Sequence, residues 1–252
     1  INHYPFSYAA YPPVFMALGW IINLLIPSML MSMRLLSVTA TCLLALALYL
    51  LIYQRTRQRL LSSIFALSFL SIWFVKLWAP LARVDMLVFF FTTTGFLVFQ
   101  TWIRDNRRYW AFLFFVLAFF TKQSAVLAPV SILLFSLAQK DQRKHFVSYL
   151  AAYVIPILLL FLFLDRYTNG EASKHLFLYT SQRQFSLSIL WRNLLVFFST
   201  LVIFLSLASP FRFVKKIWAS EDLIYWFYLV LNLMVLPAAA ITGANLNYLI
   251  EP

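Results

Sequence analysis

Long apolar runs separated by short polar breaks dominate the chain. Taken in order, they predict membrane crossings at about 34–53, 62–80, 84–103, 109–121, 124–139, 146–164, 189–210 and 223–242. A helix needs roughly 20 residues, within a range of about 17–25, to traverse the hydrocarbon layer. Most of the runs comply. The expected fold is therefore all-α, a multi-pass transmembrane helix bundle with about eight crossings in this fragment. Segment 14–31 is also apolar, but it follows Pro12-Pro13, contains Pro27 and precedes Arg34 and another apolar run. It is expected as an external helix lying on the membrane or packed on the bundle. The organisation is then one transmembrane domain over 1–252. An external loop with an interfacial helix occupies 1–33, the bundle 34–242 and a second external loop 243–252.

The breaks carry charge in a regular way. Arg55/Arg57/Arg59, Arg104/Arg107/Arg108, Lys140/Arg143/Lys144 and Arg212/Lys215/Lys216 hold twelve of the twenty Lys and Arg residues in very short loops. Cytoplasmic loops concentrate Lys and Arg, so all four loops are assigned inside. An even number of crossings separates consecutive clusters. The same alternation places 1–33, 80–84, 121–124, 165–188 and 243–252 outside, in the inner or plasma membrane of a cell envelope.

One interval tests that scheme. Only about 30 residues separate Arg108 from Lys140, yet both ends are assigned inside. Two crossings must share them and turn at Thr121-Lys122-Gln123-Ser124. The first has about 13 residues, roughly 20 Å of helix, against a hydrocarbon thickness of roughly 30 Å. The turn is expected below the outer surface. A lysine at that depth is costly unless it faces a water-filled cavity or an anion. A single long helix containing Lys122 is the other reading, and it breaks the alternation.

Composition sharpens the solvent. Hydrophobic residues make up 63% and charged residues 11%, where a soluble domain carries roughly 25% charged. With a mean hydropathy of +0.84, there is too little polar surface to cover a water-exposed globule. The net charge of +12 would suggest nucleic acid in a soluble protein; here its clustering between apolar runs makes it topological, and no nucleic-acid partner is expected. Cys42 is the only cysteine and reads as packing. No N-x-S/T sequon occurs. His3 and His175 are isolated, so no metal site is expected. With four glycines there is neither a Gly-rich phosphate loop nor a G-x-S-x-G elbow. Ile1 and Pro252 read as internal cuts, with a first helix expected upstream and further helices downstream.

The outer ends collect the rarer polar residues. Lys76, Arg83 and Lys122 lie close to or within apolar stretches and need partners. Several cations converging on an outward cavity make an anion site, with phosphate the obvious ligand. Arg83-Val84-Asp85 has two readings of equal standing. Either Asp85 holds a phosphate-binding Arg83 or sits near substrate, or it simply caps or complements the start of the following helix with Arg83 pairing locally. Lys122 could instead be a snorkelling lysine at a helix end. After Gly243, a helix-ending residue, Asn245, Asn247 and Tyr248 offer hydrogen-bonding groups beside Glu251. The plain alternative is a capped, solvated loop.

The order of these motifs resembles the GT-C glycosyltransferases of the protein O-mannosyltransferase and aminoarabinose transferase type. The likeness rests on His3-Tyr4-Pro5 with Tyr11-Pro12-Pro13, Arg34-Leu35-Leu36-Ser37 opening a helix, Ala82-Arg83-Val84-Asp85, Phe119-Phe120-Thr121-Lys122-Gln123 and Gly243-Ala244-Asn245-Leu246-Asn247-Tyr248. The resemblance implies an inverting transferase. It would take a polyprenyl-phosphate-linked sugar as donor and work on the extracytoplasmic side of a membrane, with the lipid bilayer and an unidentified acceptor as its other partners. It implies Lys122 and Arg83 at the donor phosphate. Asp85, Gln123, Tyr11, Asn245, Asn247, Tyr248 and Glu251 are then candidates for lining the substrate cavity. No cofactor is implied, with a divalent cation left open. The family's catalytic carboxylate lies before the Tyr-Pro-Pro stretch, and this chain has no Asp or Glu before Asp85. The acidic motif is therefore expected upstream of Ile1. Two other functions stay open: a transporter or flippase for a lipid-linked or anionic solute, and a non-catalytic membrane assembly subunit.

Overall fold

The computed structural model describes residues 11–178, 186–188, 190–191, 194 and 221–235. The expected crossing at 189–210, the Arg212/Lys215/Lys216 cluster, His3, Tyr4 and the stretch from Gly243 to Glu251, with Asn245, Asn247 and Tyr248, lie essentially outside that set. The described residues are mainly helical, with no strand among them.

Short α1 (Val14–Asn23) packs on α2 (Met29–Thr56). Thus segment 14–31 is one separate helix followed by the first turn of the next. Ser28 makes the division, since its extended backbone and side-chain oxygen cap α2 by accepting from the Met31 N–H. Helix α2 starts earlier than Arg34, which becomes an exposed residue in its second turn. It ends at Arg57, whose left-handed backbone (φ 56°) closes a 5→1 turn onto the Tyr53 carbonyl.

The run expected as one crossing at 62–80 is two helices, α3 (Arg59–Ser71) and α4 (Trp73–Trp78). Ile72 leaves the helical region at ψ 128°, a break that uniform hydropathy does not signal. Ala79 keeps helical dihedrals as the C-cap of α4, and Pro80 has no N–H with which to carry the hydrogen-bond ladder further. Helix α5 (Asp85–Thr101) lies against both α2 and α6 (Trp110–Phe119). The approach to α6 is close at Gly95, where a Cβ would lie 2.5 Å from Cε1 of Phe115. Helices α7 (Leu127–Ala138), α8 (Phe146–Tyr167), the single turn α9 (Glu171–Ser173) and α10 (Leu223–Val235) complete the set. A π-turn over Lys174–Leu178 follows α9. Helix α7 leans on α10 and α8 rather than on α6.

Two apolar clusters divide the interior. One is built on Phe99, Phe112, Phe115 and Tyr149, whose rings meet mostly edge-to-face. The other joins Phe15, Leu36, Leu44, Trp78, Met86 and Ala118.

The helix connections gather at two opposite ends. At one, Arg55 pairs with Glu221 and Asp222, each at 3.3 Å. There too buried Arg108 donates to the Ile103 carbonyl at 2.7 Å and contacts Nε2 of His145 at 2.9 Å. At the other end the Val14 N–H donates to the Phe120 carbonyl at 3.0 Å, tying the Tyr-Pro-Pro stretch to the α6–α7 turn.

Helices α2, at 28 residues, and α8, with the 3-10 turn Arg143–His145 before it, are long and apolar enough to cross a membrane. Little of α8's apolar stretch is covered by the bundle (11%), and Leu158, Leu159, Leu162 and Phe163 point outward.

Candidate functional site

The site lies at the α6–α7 end and grows from three local features. Asp85 is the first residue of α5, where the helix dipole favours a carboxylate. Helix α6 closes at Phe120, and the chain then turns, with the Lys122 N–H on the Ala118 carbonyl (2.9 Å) and the Ala125 N–H on the Lys122 carbonyl (3.0 Å). The α4–α5 connection is clamped by Ser37 of α2. Its hydroxyl donates to the Arg83 carbonyl at 2.9 Å and accepts from the Arg83 N–H at 3.1 Å.

These features bring a carboxylate and two cations together. Lys122 Nζ lies 3.1 Å from Asp85 Oδ1, and Arg83 Nε lies 3.0 Å from Asp85 Oδ2. Asp85 is wholly buried and Lys122 is 2% exposed. Asp85 thus complements the start of α5 with Arg83 paired to it locally, as the plainer reading of Arg83-Val84-Asp85 expects. Each carboxylate oxygen is engaged by a cation, which makes Asp85 a poor general base. Among the described residues, two cations on this one carboxylate sum to a net charge of +1.

That surplus emerges at Arg83. Its side chain is 27% exposed, and its guanidinium carbon stands 4.0 Å from the centroid of the Trp78 ring. Nη1 and Nη2 of Arg83 make no hydrogen bond among the described residues. The buried Trp78 indole N–H and Ser124 hydroxyl make no hydrogen bond among the described residues. Arg83 thus turns hydrogen-bond donors outward beside a buried carboxylate shared by two cations, an arrangement that suits an anionic group.

The other predicted residues distribute around this core. Tyr11 is half-buried against the cluster containing Trp78, Val84 and Ala125. Gln123 Nε2 reaches the Leu176 carbonyl of the π-turn at 3.5 Å. Lys76 and Arg34 are exposed. Asp165 accepts from the Ser173 N–H at 2.9 Å, and Glu171 pairs with Lys174 at 2.8 Å. The Lys174 hydrogen bond holds the Glu171 carboxyl below its usual range. Asn245, Asn247, Tyr248 and Glu251 fall outside the described residues.

Compared with family models, curated proteins and solved structures, the chain gives no match. Its function must therefore be argued from the site itself.

Sequence reasoning missed three contributors. Ser37 was visible only as part of the Arg34-Leu35-Leu36-Ser37 run, and Trp78 and the Leu176 carbonyl not at all. The recurrence of small hydroxyl residues, Ser32, Ser37 and Thr41, on the buried face of α2 was the one usable signal. Among the described residues no three His, Cys, Asp or Glu side chains come together.

Proposed function

We propose that the chain belongs to a multi-pass, about eight-crossing membrane glycosyltransferase. It moves a sugar from a polyprenyl-phosphate donor to an acceptor on the extracytoplasmic side. The Asp85-centred pair of cations, with the donor-rich edge of Arg83 beside it, carries the reading. The motif order that resembles the GT-C enzymes supports it, as do the long apolar α2 and α8. The crowding of basic residues at the end opposite Lys122 adds to it.

In the proposed reaction the bond from the anomeric carbon to the donor phosphate oxygen breaks. A bond from the acceptor hydroxyl oxygen forms on the opposite face of the sugar, inverting that carbon. The hydroxyl proton passes to a carboxylate acting as general base, the group that the GT-C resemblance implies. The leaving polyprenyl phosphate gains a negative charge. Preorganised donors in a water-poor site stabilise charge that develops in the transition state. Arg83 takes the direct role, with its Nη atoms on the phosphate. Lys122 adds a second positive charge and fixes Asp85, which holds Arg83 in place.

The test is transfer of labelled sugar from a polyprenyl-phosphate donor into membranes containing the full-length protein. Arg83→Ala should abolish transfer while the amount of protein in the membrane holds, and Lys122→Ala, which also breaks the buried pair with Asp85, should abolish transfer per unit of folded protein. Normal transfer in both variants removes the phosphate site. Substrate flux into proteoliposomes without an acceptor would point instead to a transporter.

A further inference from the structure

A second feature lies away from this site, on the outward surface between α6 and α8. Pro156 sits inside α8. It has no N–H for the Ala152 carbonyl, and its ring crowds that carbonyl. Ala152 itself offers only a methyl group. Between these small or displaced groups and the facing α6 residues a groove of ≈ 380 Å³ opens. Tyr109, Leu113, Val116, Ala152, Pro156 and Leu160 line it. On α8 the lining positions repeat every four residues, so they form one stripe along the helix. From Ala152 to Leu160 the stripe runs roughly 12 Å.

The two ends of the groove differ. Toward the middle of α8 it is purely apolar, and Leu113 and Leu160 are both outwardly exposed. The other end is polar. Asn106 lines it, and the Tyr109 hydroxyl shares a 2.7 Å hydrogen bond with Ser148. One helical step before Ser148 stands exposed Lys144, with exposed Arg143 and Lys140 nearby. Over 104–144 this end carries Arg104, Arg107, Arg108, Lys140, Arg143 and Lys144 against Asp105 and Asp141 on the connecting turns. An apolar slot open to the side, ending at a polar rim under a positive field, matches a lipid tail joined to an anionic headgroup.

We infer that this groove binds an anionic phospholipid. One acyl chain lies along α8, and the headgroup phosphate sits at the Asn106/Lys144 rim. The inference rests on reading α8 as a membrane span, and it is independent of the glycosyl-transfer chemistry at the opposite end.

Trp110 also lines the groove and is largely exposed, so it serves as the probe. The full-length protein is placed in phosphatidylcholine nanodiscs holding a low fraction of lipid brominated on its acyl chains. The Trp110 signal is taken as the difference from Trp110→Phe. Brominated phosphatidylglycerol should quench Trp110 several-fold more than brominated phosphatidylcholine at equal fraction. Ala152→Phe, which fills the groove, should remove the excess. Lys144→Gln should cut the preference about fivefold, the factor matching roughly 1 kcal/mol per basic residue at an anionic surface. Equal quenching by the two headgroups overturns the inference but leaves the membrane reading standing. No quenching by either overturns the inference together with the reading of this face as lipid-exposed. An excess that survives Ala152→Phe also overturns it.

Discussion

Replacing Asp85 by Asn tests the buried ion pair directly. The side chain keeps its size and its Oδ1 acceptor, but it loses its charge and turns an amide toward Arg83. Lys122, 2% exposed, is deprived of the carboxylate 3.1 Å away. At an effective dielectric of about 20, unit charges at that distance attract by about 5 kcal/mol. Removing one partner of a buried pair typically costs about 3–5 kcal/mol, because the remaining charge stays desolvated. A loss of about 4 kcal/mol is expected, worth roughly 10 °C in thermal midpoint for a chain of this size. The assay is thermal unfolding of the purified full-length protein in detergent, followed by loss of monodispersity. Adding Lys122→Met to Asp85→Asn should recover most of the loss. Arg83 tolerates this background, since its side chain already reaches outward and stacks on Trp78. An Asp85→Asn midpoint equal to the parent, or a double variant no better than the single one, would refute the reasoning.

Three more outcomes follow from the packing and the connecting turns. Gly95→Ala places a methyl group inside the buried Phe115 ring and should cost about 1–3 kcal/mol, read as a lower thermal midpoint; the restoring partner is Phe115→Leu. Ser37→Ala removes both hydrogen bonds that clamp the Arg83 backbone. It should lower stability by about 1–2 kcal/mol and reduce sugar transfer more than protein level. Asp105 is held below its ordinary value of 3.8, first by the Arg107 backbone N–H and then by its side chain. A depressed carboxylate stabilises the fold above the unfolded pKa and loses that contribution as pH falls through the folded one. Asp105→Asn should therefore flatten the acid limb of the stability profile below about pH 4. Near neutrality it should lose the same modest contribution at every pH.

Helix positions were the most legible part of the chain, because apolar runs bounded by Arg and Lys leave little choice of element. The α6–α7 turn at Lys122 followed from length alone, since two helices had to share the residues between Arg108 and Lys140. The break at Ile72 was not legible, because hydropathy is uniform across it and no proline marks it. The start of α2 was misplaced because Arg34 drew the boundary, whereas Ser28 caps the helix. At the site, the residues were readable but their partners were not. Asp85 and Lys122 lie far apart in sequence, and nothing local says that one carboxylate serves both cations. Arg108 was read as one charge in a topological cluster, yet it is buried between the rings of Tyr109 and Tyr149. Clustered charge predicts a side, but it does not tell a solvated arginine from a packed one.

The ion pair at the centre of the site also imposes an order on biogenesis. Its two members are 37 residues apart, and Asp85 leaves the ribosome first. At about 5–20 residues per second, Asp85 precedes its lysine by roughly two to seven seconds. During that interval Arg83, made just before it, is the cation at hand to neutralise the carboxylate. Lys122 then arrives at the tip of a hairpin whose α6 arm, at 10 residues, is too short to stay inserted alone. On the membrane topology proposed above, the nascent α6 and α7 would enter together, and closure onto Asp85 would be the event that latches them. A variant lacking Asp85 should therefore be met by membrane quality control as a hairpin that has entered but never locked.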